Sequence, residues 1–263
     1  MPPKSSSYRI LVWALVFGFF NISSVMSLEL KFCAEDQNQS PYIVGNSSAI
    51  MEDLPGLVVE MVQLAGTRLK AKTVFLRAPW KRCLLLLERG AVDGVFLGSY
   101  STAREEIAVF PMIGGKIDPS RRIITSSYSF YRLKGATLDW DGESFIGIWG
   151  DVGAPRGYSI VKDLRARGRK VREYDSPVDV FYSLIRREIA SAAVHTSAGD
   201  LLIESKLFPA IERIQAPIVT KHYYIMLSHS LFEQNRALAE NFWKELATIR
   251  ENEAKQMIKK YLK

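Results

Sequence analysis

Thr73-Val74-Phe75-Leu76, Ala78-Pro79-Trp80-Lys81-Arg82 and Val92-Asp93-Gly94-Val95-Phe96-Leu97 decide the fold of this chain. The first is a short β-branched and apolar run, which reads as a strand. Pro79 then opens a helix, where its missing N–H costs no hydrogen bond. Trp80, Cys83, Leu84 and Leu87 fall along one face of that helix, and Gly90 stops it. Residues 92–97 form the next strand. Upstream, Leu28-Glu29-Leu30-Lys31-Phe32-Cys33-Ala34 alternates as a first strand. Pro55-Gly56 then start a helix with Leu57, Val58, Met61, Leu64 and Ala65 at helical spacing. Strand, helix, strand, helix, strand calls for a parallel sheet covered by helices, an α/β architecture.

The alternation resumes downstream. Residues 122–126 and 129–132 are strand-like, and 145–150 read as a buried strand ending in glycines. A helix is expected over 159–167, a strand over 170–174, a helix over 178–187, a strand over 190–195 and a short helix over 198–205. After Pro217 the first character returns, with a strand at 223–227 and helical spacing from 231 to 261, expected as two helices. One α/β unit is thus inserted within another. The boundaries implied are 1–27 for an export segment, 28–118 for a first lobe, 119–215 for the inserted lobe and 216–263 for the return. Two strand connections, near 112–121 and 213–220, make a hinge, and clefts between lobes are where small ligands bind.

The first residues are a targeting signal. Lys4 and Arg9 precede an apolar run from Ile10 to Phe20, then a polar stretch and Ser27 at a plausible cleavage point. The run is about half of what a membrane-spanning helix needs, so a cleaved signal peptide is preferred to an uncleaved anchor. The mature chain is then periplasmic. With 48% hydrophobic and 24% charged residues, the remainder is ordinary globular protein with no sign of wholesale disorder.

The formal charge is +7. Modest basic clusters at 165–172 and 255–263 read as solvated faces. Nucleic-acid binding needs a basic stripe or an aromatic–basic motif, and neither is present. The three histidines, His195, His222 and His229, have no ligand spacing, and no cofactor motif occurs. Cys33 and Cys83 reach an oxidising compartment, so pairing and two buried thiols are both open.

Four stretches carry a family resemblance: Ser40-Pro41-Tyr42 with Pro55-Gly56-Leu57-Val58-Val59-Glu60, then Ala78-Pro79-Trp80-Lys81-Arg82 with the helix running to Asp93-Gly94-Val95-Phe96. Gly98-Ser99-Tyr100-Ser101-Thr102-Ala103-Arg104-Glu105 follows, and last Lys221-His222-Tyr223-Tyr224-Ile225-Met226-Leu227. Together they resemble the family 3 extracellular solute-binding proteins, over essentially all of residues 28–263. The resemblance implies a type II periplasmic binding fold, two α/β lobes on a two-strand hinge. It also implies a small polar guest, a monomer, and delivery to the membrane permease of an ABC transporter. Family membership does not by itself fix function: some members are sensor partners and a few proteins of the fold are dehydratase-like enzymes.

The resemblance singles out Arg104, whose guanidinium fork suits a ligand carboxylate, with Ser99 and Ser101 as donors before it. Each serine is also ordinary turn chemistry. Tyr42 and Trp80 are candidate aromatic walls, although a tryptophan in a first helical turn often packs in the core. In the inserted lobe, Ser159 is a candidate helix cap, and Asp151 and Tyr158 compete for the ligand-contacting place. Amino-acid-binding members carry an acid after the strand matching 190–194, whereas this chain runs into His195. Either Asp200 substitutes, or the guest is not a standard α-amino acid. No nucleophile elbow, carboxylate pair or phosphate loop accompanies these residues. The reading is a non-catalytic protein that captures a small, carboxylate-bearing solute by lobe closure.

Overall fold

The computed structural model describes residues 28–147 and 150–261. The expected signal peptide and its cleavage point lie outside these residues. The chain begins with β1 (Leu28–Glu35), α1 (Leu57–Arg68), β2 (Ala71–Ala78), α2 (Trp80–Glu88), β3 (Gly94–Ser99) and the short α3 (Thr102–Glu105). A hairpin of β4 (Met112–Ile113) and β5 (Lys116–Ile117) leads to the long β6 (Ile124–Leu133). The middle of the chain holds β7 (Asp139–Trp140), β8 (Phe145–Ile146), β9 (Val152–Pro155), α4 (Ser159–Ala166), β10 (Val171–Tyr174), α5 (Pro177–Ile185), β11 (Ser191–His195) and α6 (Thr196–Glu204). The longest strand, β12 (Ile211–Leu227), returns the chain to α7 (His229–Gln234), α8 (Arg236–Asn252) and α9 (Ala254–Met257).

Eight strands form one hydrogen-bonded sheet in the order β10-β9-β11-β6-β12-β3-β1-β2. Its two halves are parallel within themselves, β2-β1-β3 on one side and β10-β9-β11 on the other. The antiparallel pair β6–β12 joins them. These two strands serve both halves: β12 pairs β3 through Tyr223–Leu227, and β6 pairs β11 through Tyr128–Tyr131. Between these pairings, over residues 124–127, β6 and β12 hold each other alone. The register shifts flank Pro217, opposite Ser129 within the second half, since a proline cannot donate to the ladder. Residues 112–121 lie on the first half's side of this passage, where Arg121 pairs with Glu240 of α8 and Ser120 O accepts from Arg250 at 2.9 Å.

Each half has its own aromatic centre. Phe32 stacks on Phe242 at 5.4 Å and meets Phe96 at 5.8 Å, while Trp243 donates its indole N–H to Ile225 O at 2.8 Å. In the second half Phe181 sits 5.2 Å from both Tyr131 and Phe208. Such ring pairs add to what burial alone contributes. Helix α1 has no side-chain cap. Its first N–H groups are met instead by Pro41 O (2.9 Å) and Tyr42 O (3.0 Å). Gly56 makes that approach possible: its φ is +117° and a Cβ there would lie 2.3 Å from Tyr42 O.

Four local expectations change. Of the strand expected over 145–150, Phe145–Ile146 form β8 and Gly147 turns the backbone at φ +80°; residues 148–149 lie outside the described residues, and a buried strand, β9, begins at Val152. The strand expected at 223–227 starts at Ile211, because β6 pairs it from there. The strand-like runs 122–126 and 129–132 are one strand, β6. The C-terminal helical stretch divides into more pieces than two, interrupted at Asn235, whose side chain caps α8 by accepting from Leu238 N at 3.1 Å. The basic run 165–172 is locally neutralised. Arg165 pairs with Glu173, Arg172 with Asp151, and Arg167 and Arg169 lie over Trp140 and Phe145. Cys33 of β1 and Cys83 of α2 form a disulfide across a Cα separation of 5.4 Å. Among the described residues, no helix is long and apolar enough to cross a membrane.

Candidate functional site

The loop after β1 is held by a buried arginine. Arg77 of β2 donates to the carbonyls of Glu35 (3.0 Å), Val44 (3.1 Å), Gln37 (3.2 Å) and Gly45 (2.7 Å). A guanidinium with its donors spread over four carbonyls fixes the backbone of residues 35–45. That loop delivers Glu35 and Gln39 to a cavity between the two halves of the sheet. From the second half, the turn before α4 delivers Tyr158, whose hydroxyl donates to Glu35 Oε2. Gln39 Nε2 donates to the same oxygen. Gly157, at φ +76°, lets this turn approach α2: a Cβ there would stand 3.2 Å from Lys81 Cγ.

The opposite wall comes from α2 and α3. Arg104 Nη1 donates to Ser99 O (2.8 Å) and Ser99 Oγ (3.0 Å). Its guanidinium lies 5.4 Å over the Trp80 ring. Among the described residues, no carboxylate comes within ion-pair distance of Arg104, and the buried Trp80 Nε1 has no hydrogen-bond partner. The floor is the strand pair, which brings Tyr128 of β6 and Tyr223 of β12 to the cavity. His195, at the end of β11, stacks on Tyr128 at 4.1 Å and meets Tyr223 at 5.2 Å and Tyr158 at 5.6 Å. The cavity these residues enclose is tight, about 20 Å³, room for little more than one water while the halves are closed.

Burial sets the ionisation here. Glu35 is 5% exposed. Desolvation, which the Tyr158 and Gln39 donors only partly offset, pushes its carboxyl up to about 8. Desolvation and nearby Lys221 hold the His195 imidazole down at about 3. Burial raises the hydroxyls of Tyr128, to about 12, and of Tyr158. Arg104 is drawn down by burial but stays charged. The empty cavity near pH 7 therefore carries one fixed cation and a neutral acid.

A pH profile follows. The Glu35 carboxyl binds a proton more tightly folded than unfolded, so its contribution to stability is complete below the unfolded value of 4.5 and is lost as pH rises through about 8. His195 acts in the other direction, its contribution being lost as pH falls from 6.5 toward about 3. Subtracting the Tm–pH curve of Glu35→Gln from that of the wild type isolates the first effect. The wild type is expected to lose stability relative to the variant between pH 5 and 8, by on the order of a few kcal/mol, read as a fall in its relative Tm. Parallel curves would show Glu35 to be ionised in the fold.

Of the residues expected from sequence, Arg104, Ser99, Trp80, Tyr158 and His195 line one cavity. Tyr42 lines a neighbouring crevice with Gln39, His195 and Tyr223. Ser101 stands at the start of α3, its carbonyl accepting from Arg104 N at 2.9 Å, and is not part of the wall. Asp151 is elsewhere, just before β9 in ion pairs with Arg172 and Lys170; of the two, Tyr158 lines the cavity. Ser159 does not cap α4; its hydroxyl accepts from Lys221 Nζ at 3.0 Å. Asp200 is held by Tyr131 and Arg213 and does not reach the cavity. Sequence reasoning missed Glu35, Gln39, Tyr128 and Tyr223. The one signal for the tyrosines was their place on the two connecting strands.

This sheet order, with a cavity at the strand pair joining two α/β halves, defines the two-lobed periplasmic binding protein fold. A periplasmic binding protein of an arginine transport system from Legionella pneumophila is similar, with a TM-score of 0.71 at 16% identity over 89% of this chain and all of that one. A histidine kinase sensor domain with similarity to periplasmic binding proteins superposes with a TM-score of 0.68 at 16% identity, over 89% and 96%. The GluR0 ligand-binding core from Nostoc punctiforme, in complex with glutamate, gives 0.66 at 14% identity, over 89% and 98%. No family model matches the chain, and no curated protein matches its sequence.

Proposed function

We propose that this protein is an exported solute-binding protein of the family 3 type. It captures a small carboxylate-bearing solute between its lobes and presents it to the permease of an ABC transporter. The observation that carries the reading is Arg104: a charged guanidinium in a closed interlobe cavity, anchored on one nitrogen by Ser99 and facing no protein carboxylate. A buried cation of this kind is costly unless an anion meets it. The lobes meet through Glu35 and Tyr158 and through Trp80 and Tyr158, whose rings stand 6.5 Å apart. Entry of a solute requires these contacts to open, and binding shifts the open–closed population.

The lobes are residues 28–118 with 216–263, and 119–215. The protein works as a monomer and without catalysis: His195 is neutral and packed among tyrosines, with no nucleophile poised beside it. A second reading, presentation of the solute to a receptor, has support in the likeness to a kinase sensor domain; pull-down from membranes with permease or kinase components separates the two.

A thermal-shift screen of amino acids, organic acids, polyamines and short peptides tests capture. A ligand a hundredfold above its Kd is expected to add about 2.7 kcal/mol, a Tm rise of roughly 5–10 °C. Silence across every class would remove the capture reading.

A further inference from the structure

Resting on the capture reading, we propose that the solute is a compact carboxylic acid without an ammonium group: a 2-hydroxy, 2-oxo or aryl acid in preference to an α-amino acid. The cavity's donors and acceptors carry this. Its unspent donors are the remaining guanidinium nitrogens of Arg104, which take no hydrogen bond among the described residues, and the buried Trp80 Nε1. Both suit carboxylate or carbonyl oxygens. On the acceptor side, the one carboxyl among the described residues that lines the cavity is Glu35.

The carboxyl in the wall, Glu35, already receives Tyr158 and Gln39 on one oxygen and has no lysine, arginine or histidine side chain within ion-pair distance. Around it, Arg77 is committed to backbone carbonyls and Asp36 adds like charge. A carboxyl so placed is held neutral. The other nearby acids are spent: Asp163 on Lys221, and Asp200 on Arg213 and Tyr131. His195, at the end of β11, faces three tyrosine rings and is neutral. An ammonium enclosed here would meet only a carboxyl that burial holds protonated and that already takes two donors on one oxygen, whereas the tyrosine, histidine and tryptophan rings suit a planar or apolar body.

Matched pairs test this on the full chain by titration calorimetry and thermal shift: lactate against alanine, 3-phenyllactate against phenylalanine, 2-hydroxyisocaproate against leucine, and 2-oxoglutarate against glutamate. In at least one pair the acid lacking the amine is expected to bind about 100-fold or more tightly than its amino counterpart. An amino acid that binds as tightly as its deaminated partner overturns the inference and leaves capture standing. Silence in both members of every pair overturns both.

The proton balance of binding gives an independent reading: calorimetry of the bound acid at pH 6.5, in buffers of different ionisation enthalpy, is expected to show no net proton release from the wild type. Release of about one proton, absent in Glu35→Gln, would mean that Glu35 ionises to hold a cation, and would overturn the inference.

Discussion

Replacing Arg104 by alanine is expected to weaken solute binding by on the order of 2–5 kcal/mol, about 30- to 5,000-fold, while the empty protein keeps its stability. The two halves of this result have one cause. Arg104 is a charge in a closed cavity that meets a carbonyl, a hydroxyl and the Trp80 face but no protein carboxylate. The empty fold therefore gains little from it, and deleting a poorly compensated buried cation is close to neutral or stabilising. A bound carboxylate gains a charge-assisted fork that alanine cannot supply. Arg104→Lys keeps the charge and loses the fork, so it is expected to fall between the two. Equal affinity in wild type and Arg104→Ala would place the anion elsewhere and remove the central contact of the proposed function. A large fall in the Tm of the empty variant would instead mark Arg104 as structural.

Loss of the Cys33–Cys83 bond is expected to be the largest single change in stability. The bridge closes 50 residues of chain that contain α1, β2 and the first turn of α2. On loop-closure entropy this constrains the unfolded chain by about 4 kcal/mol, equivalent to roughly 8–16 °C in Tm for a protein of this size. Both sulfurs are in the core of the first half, so alanine in place of both leaves small cavities that add to the loss. The double variant Cys33→Ala/Cys83→Ala, and the wild type with reductant, are expected to melt at similarly lowered temperatures. Two titratable thiols in the denatured, unreduced protein would show that the bond does not form. The bridge also fixes the start of α2 against the end of β1, and so Trp80 against Glu35.

Much of the architecture was legible one residue at a time. Apolar period and punctuation by Pro55-Gly56, Pro79 and Gly90 placed most helices and strands within a residue or two. The reading failed where a tertiary partner decides. Residues 145–150 are apolar enough for a core strand, yet Gly147 turns the chain and β9 takes the sheet position. Two short runs fused into β6 because β12 and β11 pair it along its length.

The site was legible in part for the same reason. Arg104, Ser99, Trp80, Tyr158 and His195 sit at strand ends and helix starts, which in an α/β sheet converge on the cleft. Tyr128 and Tyr223 sit within long strands, where the face each presents depends on how the sheet turns between its halves. Asp151 is near enough in sequence to compete for a ligand, but Arg172 and Lys170 on β10's side bind it outside the cleft.

What the sequence determined by itself is the alternation of strands and helices and the insertion of one α/β unit in another, because hydrophobic period and turn chemistry act over a few residues. The tertiary structure alone decided that Cys33 meets Cys83, that Glu35 faces Tyr158 across the cleft, and that its carboxyl is neutral there. Distance between chain-remote groups and removal from water are properties of the surroundings a residue is folded into. A glutamate at the end of a strand reads the same in the sequence whether solvent or the hydroxyl of a chain-remote tyrosine lies beyond it.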